Sequence, residues 1–400
     1  MTVGITETAH AADAAAVMGL LPAPPRLLAL GEPTHGEGTL LDLRNELFRE
    51  LVERHGYRTI AVESDCIMGL IVDDYVTSGA GALDDVMARG FSHGWGALQG
   101  NRELVRWMRA FNDARPAPEH VRFAGVDGPL EITAAASPRQ TLTALHAYLA
   151  ARVDTGLLPC DPETLDRLLG ADERWTDPAA MMDPSQSIGR TPEAAELRLI
   201  ADDLTALLDT QTPHLKVVST AGEWQRARLY ARTAVGLLRY HRWMADASPS
   251  RMAGLLGVRD CMMAANLLAL AEQGPALVNA HNSHLQRDRS SMQMMGGLRP
   301  QWWSAGAIAA AHLGEEYAFL ATAVGTIRHH GVDTPPPDTV EGALYALPQE
   351  RCLIDARRLG TLLPGTTAAR VSSWFGYAPL DPAHLGNYDG IVFVKDARPG

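Results

Sequence analysis

The segment from Leu27 to Asp65 constrains the fold most, because its residue pattern changes from strand to helix and back to strand. The apolar run 27–30 is typical of a short buried strand and stops at Gly31. A helix with leucines on one face follows, and Gly56 marks its end before a second apolar strand at 59–62. Parallel strands joined by one helix end at the same edge of a sheet. We therefore predict an α/β fold with a mostly parallel central sheet flanked by helices.

Four ionisable residues of this segment lie where a plain core would have none. Glu32 and His35 follow the first strand, Glu63 ends the second strand, and Arg44 borders the apolar stripe of the helix. Each residue alone is explained by a salt bridge or a surface position. Because parallel sheets place their chemistry at the carboxyl edge, the convergence of all four predicts a functional site there.

A second group of polar residues follows a later strand. The apolar run 276–279 predicts a strand, and His281, Asn282 and His284 come directly after it. By the same reasoning these side chains belong to the same edge of the sheet. Asp127, at the end of a third predicted strand, is either another acid of this edge or the cap of the next turn.

The middle of the chain has a different character. From residue 131 to 256 the pattern is helical, which predicts an inserted all-helical subdomain between the two halves of the α/β core, 1–130 and 257–400. This subdomain either covers the edge of the sheet as a lid or is an ordinary peripheral bundle. Further strands are expected near 303–311, 317–324, 351–355 and 391–394.

Composition limits the possible partners and the compartment. The net charge of −12 argues against nucleic acid, which requires a basic surface. No secretory signal is recognisable, and we find no apolar stretch long enough to span a bilayer. The four cysteines are far apart and suggest no disulfide framework. We expect a cytoplasmic protein with neither a nucleic-acid nor a membrane partner.

One short motif favours a different chemistry. Residues 90–94 match the G-x-S-x-G pattern of serine hydrolases, in which the serine follows a buried strand. Here the preceding residues, 83–89, read as a polar helix, so we do not expect Ser92 to be a nucleophile.

The residue types at the predicted edge suit direct attack by water on a substrate. A neutral His35 can accept a proton near neutral pH, and Glu32 or Glu63 can orient its ring. Arg44 can present a planar, permanently charged fork to an oxyanion or a carboxylate. The remaining histidines, His281 and His284, can donate to the carbonyl oxygen or to the leaving alcohol.

Three alternatives remain open. The same glutamates and histidines are of the type that binds zinc or manganese, although the chain lacks an H-E-x-x-H motif and Arg44 would repel a cation. We therefore expect no cofactor, with a divalent metal as the alternative. A binding protein that shields its ligand without cleaving it would not need a base. A biosynthetic enzyme that transfers a group or closes a ring is compatible with these residues.

Three ordered blocks of residues resemble the erythromycin esterase family. The first is Gly31-Glu32-Pro33-Thr34-His35 with Arg44 and Glu63, which is similar to that family's G-E-x-x-H signature. The second is Arg259-Asp260-x-Met262 with Asn266, and the third is His281-Asn282-x-His284. The likeness extends over residues 25–395 and is weakest across the helical block.

The resemblance implies an α/β core with a helical insertion and an esterase that opens macrolide lactones with water. It implies that His35 is the catalytic base, and that the cleft is lined by Glu32, Arg44, Glu63, His281 and His284. We assign substrate binding to Asp127, Arg259, Asn266 and Asn282. The expected partner is a small-molecule ester or lactone, and both antibiotic resistance and natural-product biosynthesis are compatible roles.

Overall fold

A sheet of eight strands organises the part of the chain that the computed structural model describes, residues 2–131, 134–294 and 297–400. The strands are β1 (Ala9–His10), β2 (Leu27–Glu32), β3 (Thr59–Asp65), β4 (Arg122–Asp127), β5 (Ala276–His281), β6 (Arg289–Ser291), β7 (Gln301–Trp303), β8 (Tyr317–Thr326), β9 (Arg351–Asp355) and β10 (Gly390–Asp396). Their order in the sheet is β1-β9-β10-β8-β2-β5-β3-β4, and β6 and β7 lie outside it. Strand β2 is thus central.

Parallel pairing dominates the sheet. Strand β2 pairs in parallel with β5 and β8, β3 pairs in parallel with β5, and β10 pairs in parallel with β8. Strand β9 pairs antiparallel with β10, and β1 pairs antiparallel with β9. The predicted mostly parallel sheet is confirmed. Strands β2 and β8 are buried along their whole length, as expected for strands covered on both faces.

Seventeen α-helices lie within the same described residues. In chain order they are α1 (Thr2–Thr6), α2 (Ala14–Leu20), α3 (Gly38–Arg54), α4 (Gly69–Ser78), α5 (Leu83–Arg89), α6 (Gln99–Asp113), α7 (Arg139–Ala150), α8 (Pro162–Leu169), α9 (Ala179–Met182), α10 (Pro192–Thr210), α11 (Thr212–Val218), α12 (Ala221–Met244), α13 (Arg251–Ala271), α14 (Asn282–Leu285), α15 (Ala305–Leu313), α16 (Val340–Tyr345) and α17 (Ala356–Leu362).

The chain forms two compact units. The sheet unit contains Met1–Val126, Leu267–Met292 and Trp303–Gly400. Its core includes Phe48 and Leu51 of α3 together with Leu28, Ile60 and Leu277 of three strands. The predicted apolar face of α3 is therefore the face that packs in the core of this unit.

The helical unit contains Asp127–Asn266 and Gln293–Trp302. A core cluster of this unit joins α7, α10 and α12 through residues such as Leu145, Leu197 and Leu238. Thr191 caps the start of α10, and its side chain accepts a hydrogen bond from Ala194 N. The unit extends beyond the predicted subdomain, 131–256, at both ends and includes a later segment.

Two expectations were wrong. Residues 303–311 do not form a strand: β7 ends at Trp303, and α15 begins at Ala305 behind Ser304, whose side chain accepts a hydrogen bond from Ala307 N. This segment is rich in alanine, the best helix former, and has no alternating pattern. One helix also has the length and hydropathy of a membrane span, contrary to expectation. The helix is α13. Over a stretch of 18 of its residues the mean hydropathy is 1.4, and 44% of that stretch is buried inside the protein.

The register of the central strands sets the position of the site. Strand β2 pairs with β5 so that Glu32 lies beside His281 and Leu30 beside Asn279. On the other side of β5, Val62 lies beside Asn279, one residue before Glu63. The parallel sheet therefore brings the ends of β2, β3 and β5 to one edge, as the sequence predicts.

Candidate active site

Glu32 and His35 form a close pair at this edge. Glu32 is the last residue of β2, and its Oε1 lies 2.7 Å from His35 Nδ1. A carboxylate accepts, so in the neutral ring the proton belongs on Nδ1 and the lone pair on Nε2. The Glu32 side chain is buried, whereas that of His35 is 34% exposed. This is the arrangement in which a carboxylate orients a histidine that acts as a base.

Glu63 connects the early and late histidines. Its Oε2 accepts a hydrogen bond of 2.7 Å from His281 N and lies 3.9 Å from His35 Nε2. Its Oε1 lies 3.4 Å from His284 Nε2. The 3.9 Å separation is too long for a direct hydrogen bond between Glu63 and His35. The structure thus brings Glu63, His35, His281 and His284 together, as the sequence predicts.

His281 is held by the backbone on both sides of its ring. Its Nδ1 accepts a hydrogen bond of 3.2 Å from Ser283 N and lies 2.7 Å from Ser283 Oγ. Its Nε2 lies 3.2 Å from Pro33 O, to which it donates, since a carbonyl can only accept. Burial, followed by the neighbouring His35, lowers the pKa of His281 to about 3. The ring is therefore neutral at physiological pH.

Arg44 is a buried cation that side-chain amides hold in place. Its Nη2 donates to the Oδ1 atoms of Asn45 and Asn101, both at 2.9 Å, and its Nη1 donates to Asn279 Oδ1 at 3.5 Å. Burial lowers the pKa of Arg44 to about 10, while the charges of Glu32 and Asp42 oppose that shift. Arg44 therefore stays protonated at neutral pH.

The three asparagines around Arg44 were missed in the sequence. Asn279 stands in an otherwise apolar strand, and such a buried amide is a usable signal. Asn45 and Asn101 stand next to charged residues in segments with a helical pattern, so the sequence does not mark them as buried amides. Trp95 was also missed; its ring centroid lies 4.9 Å from that of His35.

A cavity of about 10 Å³ lies beside these groups, close to the minimum room that one water molecule needs. Its lining includes Glu32, Arg44, Glu63, Trp95, Asn101 and Asn279. Two carboxylates and one guanidinium therefore face the same small space next to the Glu32–His35 pair.

The predicted substrate-binding residues have mainly structural contacts. In the helical unit, Arg259 Nη2 and Nε bind Asp127 Oδ2 at 2.7 and 3.0 Å, and Asp127 is fully buried. Asn266 Oδ1 accepts from Arg232 Nε at 2.5 Å. In the sheet unit, Asn282 pairs with the backbone of Thr322 through hydrogen bonds of 2.9 and 3.2 Å. None of these contacts includes the Glu32–His35 pair.

Ser92 is not placed as a serine-hydrolase nucleophile. Helix α5, and no strand, precedes the G-x-S-x-G motif. Ser92 is buried, and its Oγ accepts a hydrogen bond of 3.0 Å from Asp65 N and lies 3.2 Å from Ser64 Oγ. Its contacts therefore hold it at the end of β3.

Comparison with known proteins establishes the family. The erythromycin esterase family model matches residues 52–397. The chain belongs to the erythromycin esterase family. Glu63, His281 and His284 lie within the matched range, whereas Glu32, His35 and Arg44 precede it. Membership of the family supports an esterase-like hydrolase that acts on a small-molecule ester. No curated protein sequence matches this chain.

Three solved structures share the fold over nearly the whole chain. A Bacillus cereus protein has 18% identity and a TM-score of 0.74, covering 100% of this chain and 97% of that one. A succinoglycan biosynthesis protein has 16% identity and a TM-score of 0.72, with coverages of 100% and 97%. A mutant of the erythromycin esterase EreC in its open conformation has 20% identity and a TM-score of 0.69, with coverages of 96% and 94%. The predicted fold class is confirmed.

Proposed function

We propose that this protein is a hydrolase that opens a macrolactone, or a related carboxylic ester, with a water molecule activated by His35. The observation that carries the proposal is the 2.7 Å contact between Glu32 Oε1 and His35 Nδ1 at the edge of the sheet. That contact leaves Nε2 as the basic nitrogen of the ring. A base of this kind, beside a cavity with room for one water, suits hydrolysis.

The reaction balances without a further reagent. His35 Nε2 takes a proton from water while the water oxygen bonds to the ester carbonyl carbon. The tetrahedral intermediate then breaks its bond to the alcohol oxygen, and the proton on His35 goes to that oxygen. The products are one carboxylic acid and one alcohol, or a single opened hydroxy acid when the substrate is a lactone.

Arg44 is proposed to stabilise the negative charge that forms on the carbonyl oxygen. The three asparagines that bind Arg44 are neutral, so these hydrogen bonds do not neutralise the positive charge of its guanidinium. A fixed charge in a buried site acts in a low dielectric and needs no rearrangement during the reaction. Its place in the cavity lining beside Glu32 and Glu63 supports this role.

Glu63 and His281 are proposed as positioning residues. Glu63 accepts from the backbone of His281 and lies 3.4 Å from His284 Nε2, which favours a fixed carboxylate that orients water and His284. Because both ring nitrogens of His281 have contacts within the protein, His281 is poorly suited to donate a hydrogen bond to the carbonyl oxygen or to the leaving alcohol, whose proton comes from His35. We therefore assign the donor role expected for the late histidines to His284 alone.

The test is a product-mass screen of purified protein with macrolides of different ring size, simple esters and acylated saccharides. Hydrolysis adds the mass of one water, and isotopically labelled water places one labelled oxygen in the new acid. His35→Gln should lower kcat by about 10²–10⁴-fold. The matched control is His312→Gln, an exposed histidine of α15 that should keep the wild-type rate.

Other outcomes identify the alternatives. Unchanged ligand mass with saturable binding would replace hydrolysis by sequestration. A product formed without gain of water would favour group transfer or ring closure. Loss of activity after chelation in both the wild type and Glu37→Gln, at an unchanged Tm and restored by zinc or manganese, would favour a metal hydrolase. Wild-type rates in His35→Gln would remove the base assignment.

A further inference from the structure

A second cluster of ionisable side chains lies in the sheet unit, apart from the Glu32–His35 pair. It consists of Glu37, His329 and His330. Glu37 immediately precedes α3, and the two histidines lie in a short turn that follows β8. His329 Nε2 and His330 Nε2 lie 3.1 and 3.7 Å from the same oxygen, Glu37 Oε1. Two imidazoles therefore converge on one carboxylate.

One oxygen of the buried Glu37 carboxylate lacks a hydrogen-bond partner among the described residues. Its side chain is 2% exposed, and its Oε2 has no hydrogen-bond partner among the described residues. It also makes no capping hydrogen bond to α3. Burying a carboxylate oxygen without a partner is costly. A bound cation would offset that cost.

The spacing fits a small divalent ion. One ligand atom from each of the three residues lies within 4.8 Å of the other two. Two bonds of about 2.0–2.1 Å at a tetrahedral angle put neighbouring ligand atoms about 3.3 Å apart. The observed 3.1 and 3.7 Å lie on either side of that value. Two imidazoles and one carboxylate with an open side form a donor set that zinc accepts.

We propose that Glu37, His329 and His330 bind a divalent transition metal, with Zn²⁺ as the ion that suits the donors best. The fourth position faces solvent, since the His329 and His330 side chains are 30% and 41% exposed. A water molecule completes the tetrahedron there.

The surroundings orient the ligands and connect the site to the candidate active site. The ring of Trp374 stacks on that of His330 at 3.9 Å, with 13° between their planes. Glu37 forms a backbone bridge with Pro399 and follows His35 by two residues. The metal therefore ties the loop that carries His35 to the turn after β8, and we expect it to act as a structural clamp.

A direct hydrogen bond between Glu37 and His329 explains the same 3.1 Å contact without a metal. That alternative does not account for the second histidine, His330, whose Nε2 lies 3.7 Å from the same carboxylate oxygen. The two explanations differ in stoichiometric metal binding, which is measurable without any enzyme assay.

The experiment uses the full-length protein, stripped with a chelator and then titrated with Zn²⁺ by calorimetry and with Co²⁺ by visible absorption. We expect one metal per chain and a tetrahedral Co²⁺ spectrum. Residues outside the ligand sphere commonly change metal affinity 10–100-fold, so removing a ligand should cost at least about 100-fold. Glu37→Gln and His329→Asn should each show that loss, and His330→Asn provides a third variant at the most exposed ligand.

Controls locate the bound ion. His312→Asn should bind zinc like the wild type, and the variant Glu32→Gln/His35→Asn should still bind one equivalent. Circular dichroism of the metal-free proteins checks folding, and zinc should raise the Tm of the wild type but not that of His329→Asn. The proposal fails if the wild type binds no stoichiometric metal. It also fails if binding survives in both Glu37→Gln and His329→Asn, or is lost only in the Glu32→Gln/His35→Asn variant.

Discussion

Replacing Gly31 with alanine should unfold the edge of the sheet that carries the candidate active site. A Cβ atom on Gly31 would lie 2.1 Å from Asn282 Oδ1 and 2.9 Å from the ring of Phe319. Both neighbours are buried, so the side chain of Asn282 has to move. Glycine is thus required at position 31 because Asn282 and Phe319 approach its Cα closely, and not because its φ is positive.

The magnitude follows from the contacts that Asn282 would lose. Its side chain makes two hydrogen bonds with the Thr322 backbone, at 2.9 and 3.2 Å. Two such bonds contribute about 1 kcal/mol each. Overpacking a buried site adds about 1–3 kcal/mol. The sum predicts a loss of about 3–5 kcal/mol, a large part of the stability of an ordinary domain.

The assay is urea denaturation followed by far-ultraviolet circular dichroism, with amide hydrogen exchange at Thr322 as a local readout. Gly19→Ala is the control, because a Cβ on Gly19 meets nothing within 4 Å in α2, and this variant should be stabilised by about 0.5–1 kcal/mol. The double variant Gly31→Ala/Asn282→Ala should cost at least about 1 kcal/mol less than the sum of the single variants. A Gly31→Ala protein within 1 kcal/mol of wild type would refute the reasoning.

Three further predictions concern charged groups. Arg44→Lys should lower kcat by about 10²-fold in a protein that still folds, because an ammonium cannot span three amide oxygens; unchanged steady-state kinetics would contradict the assigned role. As the pH falls from about 6.5 towards 3, stability should decrease, because the unfolded chain protonates His281 while the folded ring stays neutral. One such proton changes the free energy of unfolding by about 1.4 kcal/mol per pH unit in urea melts. His281→Asn should remove this contribution and leave the similar one of His241, whose pKa is lowered by burial to about 4. An unaltered pH dependence in His281→Asn would exclude His281 as its source. Asp127→Asn should cost about 2–4 kcal/mol in the same melts by leaving Arg259 without its carboxylate, and a cost below 1 kcal/mol would show that the pair contributes little.

The sequence predicted those parts of the site that depend on local pattern. Strands β2 and β3 and helix α3 were recognisable from apolar spacing, and Glu32, His35 and Glu63 stand at strand ends that parallel pairing brings together. The alanine-rich segment that forms α15 was misassigned, because a short apolar run has no decisive period. Asn101 and Asn279 were missed, since they lie 57 and 235 positions from Arg44 along the chain.

By itself, the sequence determined the chemical types at the edge of the sheet, their order along the chain and the parallel arrangement that gathers them. Only the tertiary structure decided how each group is protonated and oriented: His35 is oriented by Glu32, His281 is held neutral, and Arg44 is buried among amides. The physical reason is that a pKa or a tautomer depends on burial and on distances to neighbours. Those neighbours come from distant parts of the chain, so only folding sets their distances.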